Sequence, residues 1–298
     1  MDLSKKSFII TGATGRLGCE TVKRLEELGA EVYPVVLKNG YQKPKRVKWE
    51  AKSNPIFINN KNSLSSVPIP NYVINFHWKA DRSLSFSQQL KYELHNSIFC
   101  NFFFWEWLSG KKITKFINIS SVKLFSYLNE NPVISTSSPK PISPYGIAKE
   151  LSESYFTQLY KSFGVINVRL SSVTSNGEHP SHLVNQIYQS AFFNKKIVVN
   201  KGHKSNLLHI HEAVDLIIAV ALFGNKLFYN LGGKGYLNEN IVKKFEKISN
   251  KKINADFINL IPDTNDRIFK FDNNKFHQNF IRRLTIEELL KNYIKNYK

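Results

Sequence analysis

An α/β fold built on a doubly wound parallel sheet is what this sequence predicts, on three observations. Apolar runs of strand length alternate with amphipathic stretches of helix length, the pattern of repeated βαβ units. The first run, Phe8-Ile9-Ile10, leads directly into Thr11-Gly12-Ala13-Thr14-Gly15-Arg16-Leu17-Gly18, a spaced glycine triplet that opens a helix, the mark of a Rossmann-type unit. The 298 residues, 42% of them apolar, suffice for one such unit and a smaller C-terminal substrate lobe.

The strands are expected at 7–11, 31–36, 56–58, 72–76, 115–119 and 165–170, each a short apolar run. Between them, helices are expected at 17–28, from about 85 to 108, and at 144–163, where Ser143 and Pro144 suit an N-cap and first helical position. The aromatic stretch Phe99, Phe102 to Phe104, Trp105 and Trp107 falls inside the second of these with no interleaved basic residues, so it reads as buried helix rather than a base-stacking platform. The Pro- and Ser-rich piece 133–144 reads as a loop that delivers Tyr145 to a site. No internal repeat and no Gly-, Pro- or Ser-rich linker divides the chain.

Composition narrows the class. The first seven residues lead into too few apolar ones for a signal peptide, and the apolar stretches around 98–108 and 216–223 are too short or interrupted to span a bilayer, so a cytoplasmic protein with no membrane partner is expected. Cys19 and Cys100, on different expected helices and with no partner at metal-ligand spacing, read as reduced structural thiols, with no metal site. The net charge of +19 points to an anionic ligand or to nucleic acid. Only 8 of 42 basic residues are Arg and the lysines are scattered, which fits compositional drift plus an anionic ligand and argues against a nucleic-acid partner.

Three motifs carry chemistry. In the glycine motif Gly12 serves the turn, Gly15 the approach of a pyrophosphate and Gly18 helix-on-sheet packing, with helix N-terminal amides facing the phosphates. At the end of the second strand, where an acidic residue would hold the ribose 2′-hydroxyl of NAD, stand Val36, Leu37 and Lys38, while Glu31 lies at the strand's start. Lys38, with Arg16, suits a 2′-phosphate, so NADP is favoured over NAD; the alternative is a solvated loop lysine. Tyr145 and Lys149 are four apart, on one face of a helix, where the cation lowers the cost of a phenolate. Tyr145 is then the general acid/base and Ser120-Ser121, ending the fifth strand, supply a hydroxyl to hold the reacting oxygen.

These residues resemble the extended short-chain dehydrogenase/reductases, the NAD(P)-dependent epimerase/dehydratase group that acts on nucleotide sugars. The resemblance continues through Asn96, Arg169-Leu170, His209-Ile210-His211-Glu212, Tyr229-Asn230-Leu231-Gly232-Gly233 and Phe271-Asp272-Asn273-Asn274-Lys275. It implies catalysis by Ser121, Tyr145 and Lys149. It implies a cofactor site of Gly12, Thr14, Gly15, Arg16, Leu17, Gly18, Lys38, Asn60, Phe76, His77, Asn96, Tyr145 and Lys149. It further implies a dinucleotide-binding domain at 1–170 plus about 205–233, a substrate lobe at 171–204 and 234–298, and a homodimer through helices 85–108 and 144–163.

There are departures. His77-Trp78 stands where the group keeps two small residues, Asn60 where many members place an adenine-binding Asp, and Val122-Lys123 where its sugar 4,6-dehydratases carry Asp-Glu, which argues against the dehydratase reading. His77 is read as either packing or a substrate contact; Ser121, Lys123, Ser172 and Arg267 complete the candidate substrate contacts. The expected reaction is NADPH-dependent 4-keto reduction of a nucleotide sugar. The alternatives are a 4-epimerase that keeps NAD bound, and a non-enzymatic relative that senses a dinucleotide or binds RNA.

Overall fold

The computed structural model describes residues 1–37, 49, 51–126, 128–161, 163–175, 181–259, 268–277 and 279–296. In chain order the first half carries β1 (Ser7–Thr11), α1 (Arg16–Glu27), β2 (Glu31–Leu37), β3 (Ile56–Ile58), β4 (Tyr72–Asn75), α2 (Phe86–Ser97), α3 (Phe102–Ser109), β5 (Lys115–Ser121), α4 (Pro144–Leu159) and β6 (Gly164–Leu170). The second half carries β7 (Ser172–Thr174), α5 (Leu183–Phe193), β8 (Ile197–Asn200), β9 (Lys204–His209), α6 (Ile210–Phe223), β10 (Phe228–Leu231), β11 (Gly235–Leu237), α7 (Asn238–Ser249), β12 (Ala255–Ile258) and α8 (Ile286–Asn296).

The expected sheet is seven parallel strands in the order β10-β6-β5-β4-β1-β2-β3. Strand order reverses between β1 and β4, so the chain leaving β1 and the chain leaving β4 emerge side by side at one crevice. Both sheet faces are covered, which is why the strands read as continuous apolar runs. Phe8, Ile10, Ile74 and Ile117 pack with Val22 and Leu25 of α1 and the apolar face of α6. Ile9, Val73 and Phe116 pack on the other face with Phe104, Trp105, Phe156 and Tyr160. Each fully buried phenylalanine there contributes about 2–3 kcal/mol of transfer free energy.

On that second face the apolar pattern gives way to one polar row. Thr11 Oγ1 donates to Asn75 Oδ1 (2.6 Å), Asn75 Nδ2 to Asn118 Oδ1 (3.2 Å), and Asn118 Nδ2 to Asn167 Oδ1 (2.9 Å). These residues are register partners on β1, β4, β5 and β6, and Asn167 Nδ2 closes the row on Thr157 of α4. Each buried amide thus finds its partner on the next strand, and a register slip would strand several at once.

The helix expected from 85 to 108 is broken. α2 ends at Ser97 with Ile98 as its C-cap, a 3₁₀ turn covers Phe99–Asn101, and α3 starts afresh. The cause lies in side chains: the Asn96 carbonyl accepts from Asn101 Nδ2 (3.2 Å) and lies 3.2 Å from His77 Nε2, outside the helix. The helix expected at 144–163 ends at Leu159, and the strand expected at 72–76 ends at Asn75. Within 205–233, α6 and β10 join the large sheet's layers, whereas β9 pairs with β7 and β11 in a three-stranded sheet. β8 pairs with β12, and α5, α7 and α8 close a separate apolar cluster around Ile187, Ile241, Phe245 and Leu290.

Candidate active site

The glycine motif occupies the turn between β1 and α1. Gly12 has φ +65°, and a Cβ there would lie 2.7 Å from the Phe76 carbonyl carbon, so only glycine lets the turn stack on the chain leaving β4. A Cβ on Gly18 would lie 2.3 Å from the Gly12 carbonyl oxygen, which holds α1 against its own turn. Gly15 caps α1 without a side-chain hydrogen bond, and no acidic residue lies in the first turn, where Arg16, Leu17 and Gly18 follow Gly15. The helix N-terminus is thereby left positive and open beside Thr14, a cradle that fits a pyrophosphate.

Other expected cofactor contacts stand differently. Arg16 reaches across the crevice, Nη1 donating to Ser175 Oγ at 2.5 Å. Asn60 is a helix cap: its Oδ1 accepts from the Ser63 amide (3.2 Å), so a local turn uses the oxygen expected at the adenine. Asn96 donates to the Tyr92 carbonyl (2.8 Å). Phe76 packs against the core and its amide donates to the Thr11 carbonyl. Lys38 and Arg267 lie outside the described residues.

The structure brings Ser121, Tyr145 and Lys149 together. Ser143 accepts from the Gly146 amide (3.1 Å) and Pro144 fills the first helical position, so α4 starts where the sequence predicts. A Cβ on Gly146 would lie 2.5 Å from the Lys123 carbonyl; its absence lets α4 press against the turn after β5 and places the Tyr145 phenol on the Ser121 hydroxyl. Ser121 also accepts from the Lys123 amide (3.2 Å), which fixes its rotamer, while the Lys123 side chain and Ser172 are exposed. Burial pushes the Tyr145 phenol up to about 12 against the Ser121 hydrogen bond; Glu93 adds to the rise and Arg82 opposes it. Lys149 is buried and donates to the Ile119 carbonyl at 2.9 Å; burial brings its ammonium down to about 7, against the pull of Glu93 and Glu153.

Two neighbours of this pair have no signature in the spacing of motifs. The Lys149 ammonium stands 3.7 Å from the centre of the Trp78 ring, and Trp78 meets Tyr145 edge to face at 6.4 Å. Trp78 Nε1 donates to Glu93 Oε2 at 2.9 Å, and Gln89 Nε2 donates to Oε1 at 2.6 Å, so a carboxylate with no exposed surface lies behind the indole. The only hint in the sequence is the bulk of Trp78 after β4. His77, in contrast, packs: it is 4% exposed, its amide donates to Asn75 Oδ1, and its ring nitrogen faces Asn96 and Asn101. Burial brings its imidazole down to about 4, so it stays neutral.

Neither Cys19 nor Cys100 forms a disulfide, and Cys100 lies 3.1 Å from His95, a partner that spacing did not suggest. Among the described residues no cluster of three or more metal-ligating side chains occurs, and no helix is long and apolar enough to cross a membrane.

Residues 8–232 match the NAD dependent epimerase/dehydratase family. No curated protein sequence matches. Among solved structures, the fold is similar to a Thermotoga maritima UDP-glucose 4-epimerase bound to UDP-glucose, with TM-score 0.79, 20% identity, and 98% of each chain covered. It is also similar to a Methanobrevibacter ruminantium UDP-N-acetylglucosamine 4-epimerase (TM-score 0.76, 17% identity, covering 99% of this chain and 98% of that one). A Bacillus cereus UDP-glucuronic acid 4-epimerase in complex with NAD gives TM-score 0.77 at 18% identity, over 98% and 96% of the two chains. At these identities the likeness is one of fold.

Proposed function

Since this chain belongs to the NAD dependent epimerase/dehydratase family, enzymes of the extended short-chain dehydrogenase/reductase type, we propose that it reduces a 4-keto nucleotide sugar, with Tyr145 as the proton donor. The observation that carries this reading is the geometry of the Tyr145 phenol, set against the Ser121 hydroxyl with the Lys149 ammonium 5.9 Å from its ring centre. Half-buried beside Ser121, with desolvation and Glu93 both raising its phenol, Tyr145 keeps its proton, which suits delivery of a proton to the oxygen of a ketone. When bound, the nicotinamide cofactor supplies the hydride. The turn shaped by Gly12, Gly15 and Gly18 and the α1 N-terminus would hold its pyrophosphate; Ser121 would align the reacting oxygen with the phenol; Lys149 places a cation beside the phenol to stabilise charge that develops there. Ser172, Lys123 and Arg267 are the proposed substrate contacts.

NADP is the proposed cofactor because β2 ends on Val36 and Leu37 with Lys38 next, and the acidic Glu31 sits at the strand's opposite end. The second reading, a 4-epimerase that retains NAD, is favoured by a different observation: the similar structures named above are 4-epimerases, one of them in complex with NAD. Calorimetric titration with NADPH and NAD⁺, together with the spectrum of cofactor that copurifies, separates the two. Tight NADPH binding with turnover of a 4-keto sugar supports reduction; copurified NAD with interconversion of 4-epimers replaces it with the second reading.

The homodimer remains part of the proposal. Phe86, Phe99 and Phe102 on the α2–α3 side and Leu151 on α4 are exposed, an apolar surface suited to a second copy. Light scattering at micromolar concentration is expected to give twice the chain mass. Location in the cytoplasm is proposed on the family's general habit, and a nucleotide-sugar substrate fits the charge of +19 without a nucleic-acid partner.

A further inference from the structure

We propose that Glu93 and Trp78 form a positioning device for Lys149: the buried carboxylate fixes the indole, and the indole face carries the ammonium. The inference rests on Tyr145 and Lys149 being the reacting pair. Neither Glu93 nor Trp78 has to touch the substrate for it to hold.

Glu93 comes from α2 and Lys149 from α4, two helices packed against each other, and Trp78 from the segment after β4 meets both side chains. The indole Nε1–H is anchored at 2.9 Å on one carboxylate oxygen, while the Gln89 amide holds the other at 2.6 Å. Each carboxylate oxygen therefore accepts one hydrogen bond, which fixes the direction of the group. An indole whose N–H donates to an anion is polarised toward its ring face, which strengthens attraction for a cation over that face. The Lys149 ammonium, 3.7 Å from the ring centre, occupies that position and spends one N–H on the Ile119 carbonyl. Trp78 thus couples a buried negative charge to a buried positive one without direct contact.

Other charged or titratable groups face the pair. Glu153 is on α4 and is paired with Arg169 of β6; Lys79, Arg82 and His77 follow β4; Tyr145 is one turn before Lys149. Glu153 is paired with Arg169 on both oxygens, whereas Glu93 meets only the neutral donors Trp78 and Gln89, so Glu93 is the larger of the two carboxylate influences on Lys149.

The test reads Lys149 directly, without turnover. Lysine is labelled at Cε and Nζ, the Lys149 signal is identified by its loss in Lys149→Arg, and it is followed from pH 5 to 10 in the unliganded full chain. Glu93→Gln keeps an acceptor for the indole but removes the charge, and is expected to lower the Lys149 midpoint by about one pH unit while leaving its ring-current shift in place. Trp78→Leu is expected to abolish that ring-current shift and to move the midpoint as well. An unchanged midpoint in Glu93→Gln, or a Lys149 signal that does not sense removal of the Trp78 ring, overturns the proposal. A protein that reduces no 4-keto sugar but shows both changes loses the proposed function and keeps this inference; active protein with neither change loses the inference alone.

Discussion

Replacing Lys149 with methionine is expected to make the protein more stable and inactive. In the unfolded chain the ammonium keeps its proton up to about pH 10.5, in the folded chain only up to about 7. Between these values the unfolded state binds more protons, so wild-type stability rises with pH across that window. At about 1.36 kcal/mol per pH unit, burying the charge at pH 7 costs about 4 kcal/mol, which methionine removes. Methionine also leaves the Ile119 carbonyl without the Lys149 donor, a loss of about 1–2 kcal/mol. The net gain is about 2–3 kcal/mol at pH 7 and disappears by about pH 10, where Lys149 is neutral in the folded state and the cost that remains from its protonation in the unfolded chain, about 1 kcal/mol, is offset by the lost hydrogen bond. Urea denaturation of both proteins at pH 7 and pH 10 measures it. A Lys149→Met protein less stable than wild type at pH 7, or a difference between the two that does not shrink at pH 10, would refute the assignment of Lys149 as a strained, buried cation.

Three other substitutions probe separate parts of the argument. Tyr145→Phe keeps the ring against Trp78 and removes the proton, so turnover is expected to fall by about a hundredfold or more with dinucleotide affinity within a few fold, read by steady-state kinetics and calorimetry. Arg169→Met leaves the buried Glu153 carboxylate without its bidentate partner and is expected to cost about 3–5 kcal/mol in urea denaturation; Arg169→Met with Glu153→Leu should recover most of that loss. Gly18→Ala puts a methyl 2.3 Å from the Gly12 carbonyl oxygen, so the turn must shift; dinucleotide affinity is expected to drop at least tenfold with about 1–3 kcal/mol of stability.

What could be read in the sequence followed from interactions that are local in the chain. The glycine turn, the Ser143-Pro144 start of α4 and the pairing of Tyr145 with Lys149 depend on residues a few positions apart, and the structure has them where expected. The break at Ile98 was illegible because its cause includes His77, some twenty residues away, which draws the Asn96 carbonyl out of an otherwise good helical pattern. The asparagine row was illegible for the same reason: Asn75, Asn118 and Asn167 look like interruptions of three separate apolar runs, and only strand register shows them to be partners. Glu93 resembles any acidic residue on an amphipathic helix. Its burial depends on Trp78 and Gln89 closing over it.

The same helix face joins the chemistry to the core. Tyr145, Lys149, Glu153 and Thr157 are spaced four apart on α4, so successive turns carry the phenol, the ammonium, the carboxylate held by Arg169, and the hydroxyl that ends the asparagine row. Each lower residue in this column is fixed by a strand of the sheet: Arg169 of β6 grips Glu153 and Asn167 of β6 grips Thr157, with the Ile119 carbonyl of β5 holding Lys149. Ser121 ends that same β5, so the hydroxyl that aligns the reacting oxygen and the helix that brings the proton share one rigid register. Asn75, in the same row, also holds the His77 amide and so sets the path of the chain into Trp78. The polar row is therefore the part of the core through which both walls of the site, α4 and the segment after β4, are referred to the same strands.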